Sequence, residues 1–196
     1  MGDGSSTRRR LLDAATAEFA AHGIAGARVD RISANARANK AQLYSYFGSK
    51  DGLFDAVFAD RIDAILNTVP IDGEDLPGYA VQLYDACLAR PELVRLATWA
   101  RLERVPVGEL VTNMEAQTTH KLRSIAAAQR SGHVDASLDP VDIMAIVTTM
   151  SLTWSPASLF YAVSTDDPEA DHDRRRHALA EAVRRVVTPD GMDGPK

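Results

Sequence analysis

The chain has 196 residues, 45% hydrophobic and 25% charged, enough to bury one sizeable core or two smaller ones and too ordinary for a fibrous or disordered protein. Cys87 is the only cysteine, which excludes an intramolecular disulfide, and the longest apolar run, around 143–163, is broken by Thr, Ser and Pro156 and is too polar to span a bilayer. The net charge of −5 is unevenly spread: residues 1–50 hold eight Lys/Arg against four acids, a balance of +4, leaving 14 against 23, a balance of −9, for the rest. That asymmetry suits a polyanion-binding module joined to a part that must not bind polyanions. With no signal-like start, a reducing cytoplasmic setting is expected, and no membrane partner.

In chain order, nearly every periodic segment reads as helix. Over 7–21, Leu11, Ala15 and Phe19 share a face at i, i+4 spacing, and Gly23 is placed to end that helix. A short helix over 29–36 turns Val29, Ile32 and Ala36 inward. Asn39 can cap a third to about Phe47, and Ser49 a fourth over 50–69, which Pro70 stops. Helices are then expected at 76–90, 91–104, 108–131, 139–161 with Pro140 in its first turn, and 170–188. No alternating strand pattern occurs. The expected fold is all-α, about nine helices, divided into a module over 1–50 and a remainder over 51–196, with the helix at 50–69 the one element expected to join them.

The stretch "ISANARANKAQLYSYFGSKDGLF" carries the chemistry. Two short helices joined by a tight turn at Arg37-Ala38 match a helix-turn-helix. At 100° per residue, Leu43 and Phe47 fall together and face the module's core, while Ala41, Gln42 and Ser45 point away. Tyr44 and Tyr46 lie on opposite flanks, and Lys40 sits in the first turn. Small and amide-bearing residues outward, with hydroxyl-bearing aromatics at the borders, suit a DNA groove: base edges above, phosphates at the sides. Lys50 is expected to meet a phosphate together with the free N–H groups of the next helix.

Residues 7–58, from "AAHG" through "ISANA", "LYSYF" and "SKDGLF", resemble the DNA-binding domain of TetR-family repressors. Three positions depart from the family pattern: Arg37 stands where Gly is usual, Arg28 near where a small hydroxyl residue caps the second helix, and Ala41-Gln42 where Gly-Thr is frequent. Arg37 therefore either adopts a non-glycine turn conformation or contacts the DNA backbone. The resemblance implies double-stranded DNA with a palindromic operator as partner, a small-molecule effector, and a homodimer through about 139–161 and 170–188. The residues speak for that interface independently: 139–161 is apolar on more than one face, and Leu179, Val183, Val186 and Val187 read as one stripe.

Tyr84, Trp99, Met114, Met150 and Trp154 are the candidate effector-binding residues, large or adaptable side chains with no charged cluster among them, so an apolar or aromatic effector is expected. The five histidines are scattered without partners at metal or triad spacing, and no phosphate-cradling Gly-rich loop occurs, so no catalytic residue, metal or cofactor is assigned. A helical adaptor without sequence-specific DNA binding is the alternative.

Overall fold

The computed structural model describes residues 3–67, 69–110 and 114–189. Among the described residues there are nine helices and no strand: α1 Asp3–Gly26, α2 Val29–Asn35, α3 Lys40–Phe47, α4 Lys50–Leu66, α5 Leu76–Ala89, α6 Pro91–Glu103, α7 Met114–Arg130, α8 Pro140–Ser151 and α9 Glu169–Val187. They gather into two compact units, one bounded by Met1–Ile65 and Glu92–Leu110, the other by Leu66–Pro91 and Val111–Lys196. The unit with the helix-turn-helix thus takes in α4 and α6 beyond residue 50. The chain crosses between the units at 65/66, 91/92 and 110/111, so α4 is not the one connection.

In the first unit, Leu11, Leu12, Ala15 and Phe19 of α1 pack with Ile32, Leu43, Leu53, Phe54 and Val57, all at most 2% exposed, and with Leu96 and Ala100 of α6. Phe19 meets Phe54 edge-on at 5.2 Å. The helical run of α1 is interrupted at Gly23, whose φ of 71° lies in the left-handed region. A side chain could not stand there for a second reason: a Cβ would lie 2.6 Å from a Glu103 carboxylate oxygen and 3.1 Å from the Trp99 ring. The Glu103 carboxylate accepts the Ile24 and Ala25 N–H groups exposed by that break, at 3.0 and 2.8 Å. Arg95 donates to the Ala20 carbonyl at 2.6 Å, and the Trp99 indole to the same oxygen at 3.4 Å. This is why α6 belongs to the first unit.

In the second unit, α5 packs on α8 and α9, and α7 on α8, around Tyr79, Ala80, Tyr84, Ile125, Ile143, Val147, Leu179 and Val183. Asp139 caps α8 through the Val141 N–H at 2.8 Å, with Pro140 at its first position.

Three expected helices are shorter than their periodicity suggested. α4 ends at Leu66. The helix expected from 108 does not start there: Pro106 and a left-handed Gly108 (φ 82°) hold 105–110 in turns, and 111–113 lie outside the described residues. The helix expected over 139–161 stops at Ser151. Ser151 Oγ bonds back to the Val147 carbonyl and Thr153 Oγ1 to that of Met150, and Pro156 cannot extend the ladder. Leu159 and Phe160 consequently stand exposed in the following loop. On α9, Val186 leaves the expected stripe: Leu179, Val183 and Val187 are buried and Val186 faces outward.

Candidate nucleic-acid interface and ligand cavity

α2 begins without a side-chain cap, because Arg28 carries no short acceptor. Glu18 of α1 replaces it: its carboxylate accepts the Arg28 N–H at 2.8 Å and the Arg31 guanidinium at 2.9 and 2.5 Å. Burial of this carboxyl raises its pKa, but the Arg31 and Arg28 hydrogen bonds, with the charges of Arg31 and His22, outweigh that and leave it below the ordinary glutamate range. Nothing in the local sequence signals this cap, since its partner lies ten residues upstream.

α2 ends in a Schellman turn. The Ala38 N–H donates to the Ser33 carbonyl at 3.0 Å and the Arg37 N–H to that of Ala34 at 3.1 Å, with Arg37 left-handed at φ 50°. Arg37 does not take the expected non-glycine turn conformation: its backbone occupies the left-handed position that Gly usually fills, at a cost of about 1–2 kcal/mol for a residue with a Cβ. Its side chain is exposed and forms no ion pair among the described residues, as does that of Arg28. Arg10 ties the turn to α1 by donating to the Ala36 carbonyl at 3.0 Å.

α3 opens with a reciprocal capping box. The Gln42 N–H donates to Asn39 Oδ1 at 2.8 Å, and the Asn39 N–H to Gln42 Oε1 at 3.1 Å. Gln42 therefore holds the start of the helix with its carbonyl oxygen and keeps its amide NH₂ for a further partner. Leu43 is fully buried and Phe47 partly so; Ala41, Gln42 and Ser45 are exposed, as are Tyr44 (47%) and Tyr46 (39%). α3 contains no acid. Lys40 pairs with the exposed Asp30 at 2.5 Å.

Lys50 stands differently from expectation. Its ammonium donates to the Ala25 and Ala27 carbonyls at 3.0 and 3.3 Å, closing the end of α1 and leaving one donor, while Ser49 caps α4 through the Gly52 N–H at 2.9 Å.

In the second unit, a cavity of about 280 Å³ is lined by Tyr84, Cys87, Leu88 and Ala89 of α5, Pro91, Ser151 and Trp154 through Pro156, and Val163 through Thr165. Among the described residues no charged side chain lines it. Tyr84 and Trp154 meet edge-on at 6.0 Å, and the Tyr84 hydroxyl is engaged with His172 Nδ1 at 2.6 Å. Burial pushes the Cys87 thiol up to about 11, so it is neutral near pH 7 and is neither a ready nucleophile nor a thiolate ligand.

Two of the five candidate effector residues, Tyr84 and Trp154, line this cavity. Met150 packs into the adjoining core without lining it. Trp99 does not belong here: α6 returns to the first unit, where the indole packs on Gly23. The Met114 side chain lies outside the described ones. The residues that sequence reading missed, such as Cys87, Ser151, Ser155 and Thr165, come from two segments some sixty residues apart and share no periodic signal.

Comparison with known proteins decides what this arrangement belongs to. Residues 11–57 match the family described as bacterial regulatory proteins, tetR family, and residues 75–185 match the tetracyclin repressor-like C-terminal domain. The chain belongs to the TetR family. It is a DNA-binding transcriptional regulator, and the adaptor alternative is not favoured. It is 35% identical over 188 residues to the HTH-type transcriptional repressor SCO4008 of Streptomyces coelicolor, covering 94% of this chain and 97% of that one. The structure of SCO4942 from the same organism superposes with a TM-score of 0.75 at 38% identity, over 92% of this chain and 98% of that chain. A TetR-family structure from Marinobacter aquaeolei, 21% identical with a TM-score of 0.67 over 93% of this chain and 96% of that one, shares the fold. Among the described residues no helix is long and apolar enough to cross a membrane. Nor does any group of three His, Cys, Asp or Glu there suit a metal ion.

Proposed function

We propose that this TetR-family chain is a cytoplasmic homodimeric repressor that grips a palindromic operator through its 1–50 module and releases it when a small, neutral, apolar or aromatic effector enters the cavity of the 51–196 portion. The observation that carries the reading is the split character of α3: Leu43 is sealed in the core while Ala41, Gln42, Tyr44, Ser45 and Tyr46 stand exposed with no acid among them. That face can place an amide at base edges and phenols at phosphates, with Arg28, Arg37, Lys40 and the remaining Lys50 donor as further phosphate contacts.

The effector class follows from an uncharged cavity lining and a volume at the low end for ligand pockets. Dimerisation is supported by the outward side of α8, where Val141 and Ile146 are exposed, and of α9, where Ala178, Ala182 and Val186 repeat at i, i+4. Coupling has a covalent route besides α4. Cys87, Leu88, Ala89 and Pro91 line the cavity, Pro91 opens α6, and α6 holds the break in α1 through Glu103, Arg95 and Trp99. A tenfold loss of operator affinity requires about 1.4 kcal/mol of such coupling.

The test is selection of duplexes from a randomised pool, followed by the mass of the complex in light scattering. The expected site is an inverted repeat, bound by two copies of a 21.2 kDa chain. A site without two-fold symmetry, or one bound by a single chain, would remove the dimeric repressor.

A further inference from the structure

We infer that Arg8 is a DNA-phosphate ligand, held ready by Phe47 at the end of α3 opposite the helix-turn-helix turn. The inference rests on the reading of α3 as the DNA-binding helix. Three consecutive arginines, Arg8 to Arg10, begin the basic N-terminal segment, and the structure gives them different work. Arg9 is neutralised by Asp13 at 2.8 Å and Asp60 at 3.2 Å. Arg10 is spent on the Ala36 carbonyl and the hydroxyls of Ser6 and Thr7. Arg8 is exposed and makes no ion pair among the described residues; its guanidinium lies over the Phe47 ring, 5.4 Å from the centroid.

That placement leaves the right atoms free. The Phe47 ring holds the guanidinium at its side, and with no acid paired to it among the described residues its planar fork of N–H groups is left for a phosphate, which can take two of them at once. Tyr46 adds a second donor at the same corner. Its ring neighbours Phe47 at 6.1 Å, and its hydroxyl lies so near Gly4 that a Cβ there would be 3.2 Å away. Positions 4 and 8 are one turn apart on α1, so Arg8 and Tyr46 meet over a single patch. With Arg37 beyond the start of α3 and Arg8 beside its last turn, guanidinium groups bracket an eight-residue helix about 12 Å long.

The test is equilibrium binding over a salt series, with duplexes selected from a randomised pool and with poly(dI-dC), for the wild type, Arg8→Gln, Arg8→Lys and Arg9→Gln. Arg8→Gln should lower the slope of log K against log salt by about 0.9 per contact, hence about two per dimer, on both DNAs alike. Arg8→Lys should retain the slope, since it keeps the charge, and bind more weakly because a point charge replaces the planar fork. Arg9→Gln should leave the slope at the wild-type value. An unchanged slope in a folded Arg8→Gln protein that still prefers the selected duplex overturns the role of Arg8 and leaves the α3 reading standing. A wild-type protein with no preference for any selected duplex overturns both.

Discussion

Replacing Glu18 by alanine should destabilise the first unit by about 3 kcal/mol, since hydrogen bonds to a charged group contribute roughly 1.5–3 kcal/mol each and the substitution also removes a helix cap. The side chain is only 5% exposed, and its removal leaves the Arg28 N–H, just ahead of α2, without its acceptor. Arg31, 40% exposed, will rehydrate, which limits the loss. Glu18→Gln should fall between alanine and wild type, keeping one acceptor for the Arg28 N–H but not the charge. The pH dependence has a definite sign. The folded-state pKa of Glu18 is depressed, so its contribution is fully present above the ordinary glutamate value and is lost as pH falls through the folded value. Urea unfolding from neutral pH into the acid range should show this loss in the wild type and a smaller one in Glu18→Gln. Parallel curves for the two proteins would mean that Glu18 does not carry the coupling.

The two tryptophans should fail in different ways when truncated. Trp154→Ala removes the edge-on contact with Tyr84 and enlarges the cavity, costing roughly 3 kcal/mol, the low end for a tryptophan that is not fully buried. Binding of a neutral apolar fluorophore such as N-phenyl-1-naphthylamine should change, while operator affinity of the folded variant stays near wild type. Trp99→Ala empties the space beside Gly23 and frees the Ala20 carbonyl of one donor, so it should weaken operator binding and leave fluorophore binding alone. Fluorimetry, operator titration and thermal melts on both variants separate the cases. Identical losses in the two would mean that the cavity and the break in α1 do not serve separate functions.

Short-range regularities were legible in the sequence. The i, i+4 spacing of Leu11, Ala15 and Phe19 led to the first core, Gly23 to the break in α1, Asn39 and Ser49 to their caps, and the wheel to a buried Leu43 beneath exposed tyrosines. What escaped were polar contacts between distant residues. The Glu18 cap of α2, the Lys50 clamp on α1 and the Arg10 bond to Ala36 depend on three-dimensional neighbours with no periodic trace. Hydrophobic periodicity also overran its elements: "SLTWSPASLF" is apolar enough to extend α8, yet Pro156 and back-bonding Ser and Thr side chains end it at Ser151. Trp99 lies in the first unit and away from the cavity because α6 returns there, a matter of topology that amphipathic pattern does not reveal.

If the outward face of α3 reads base edges, exchanging Gln42 must change which base is preferred. Its amide can accept from adenine N6 and donate to N7, discrimination typically worth about 1–3 kcal/mol. Gln42→Glu keeps the oxygen that serves the Asn39 N–H, so the capping box survives, while the amide donor is replaced by an acceptor suited to cytosine N4. The measurement is affinity for the selected operator and for each of its single-base variants, for wild type and Gln42→Glu. Preference should move from adenine toward cytosine at one symmetric pair of positions and hold at all others. An unchanged preference at every position would contradict the docking of α3 in the groove.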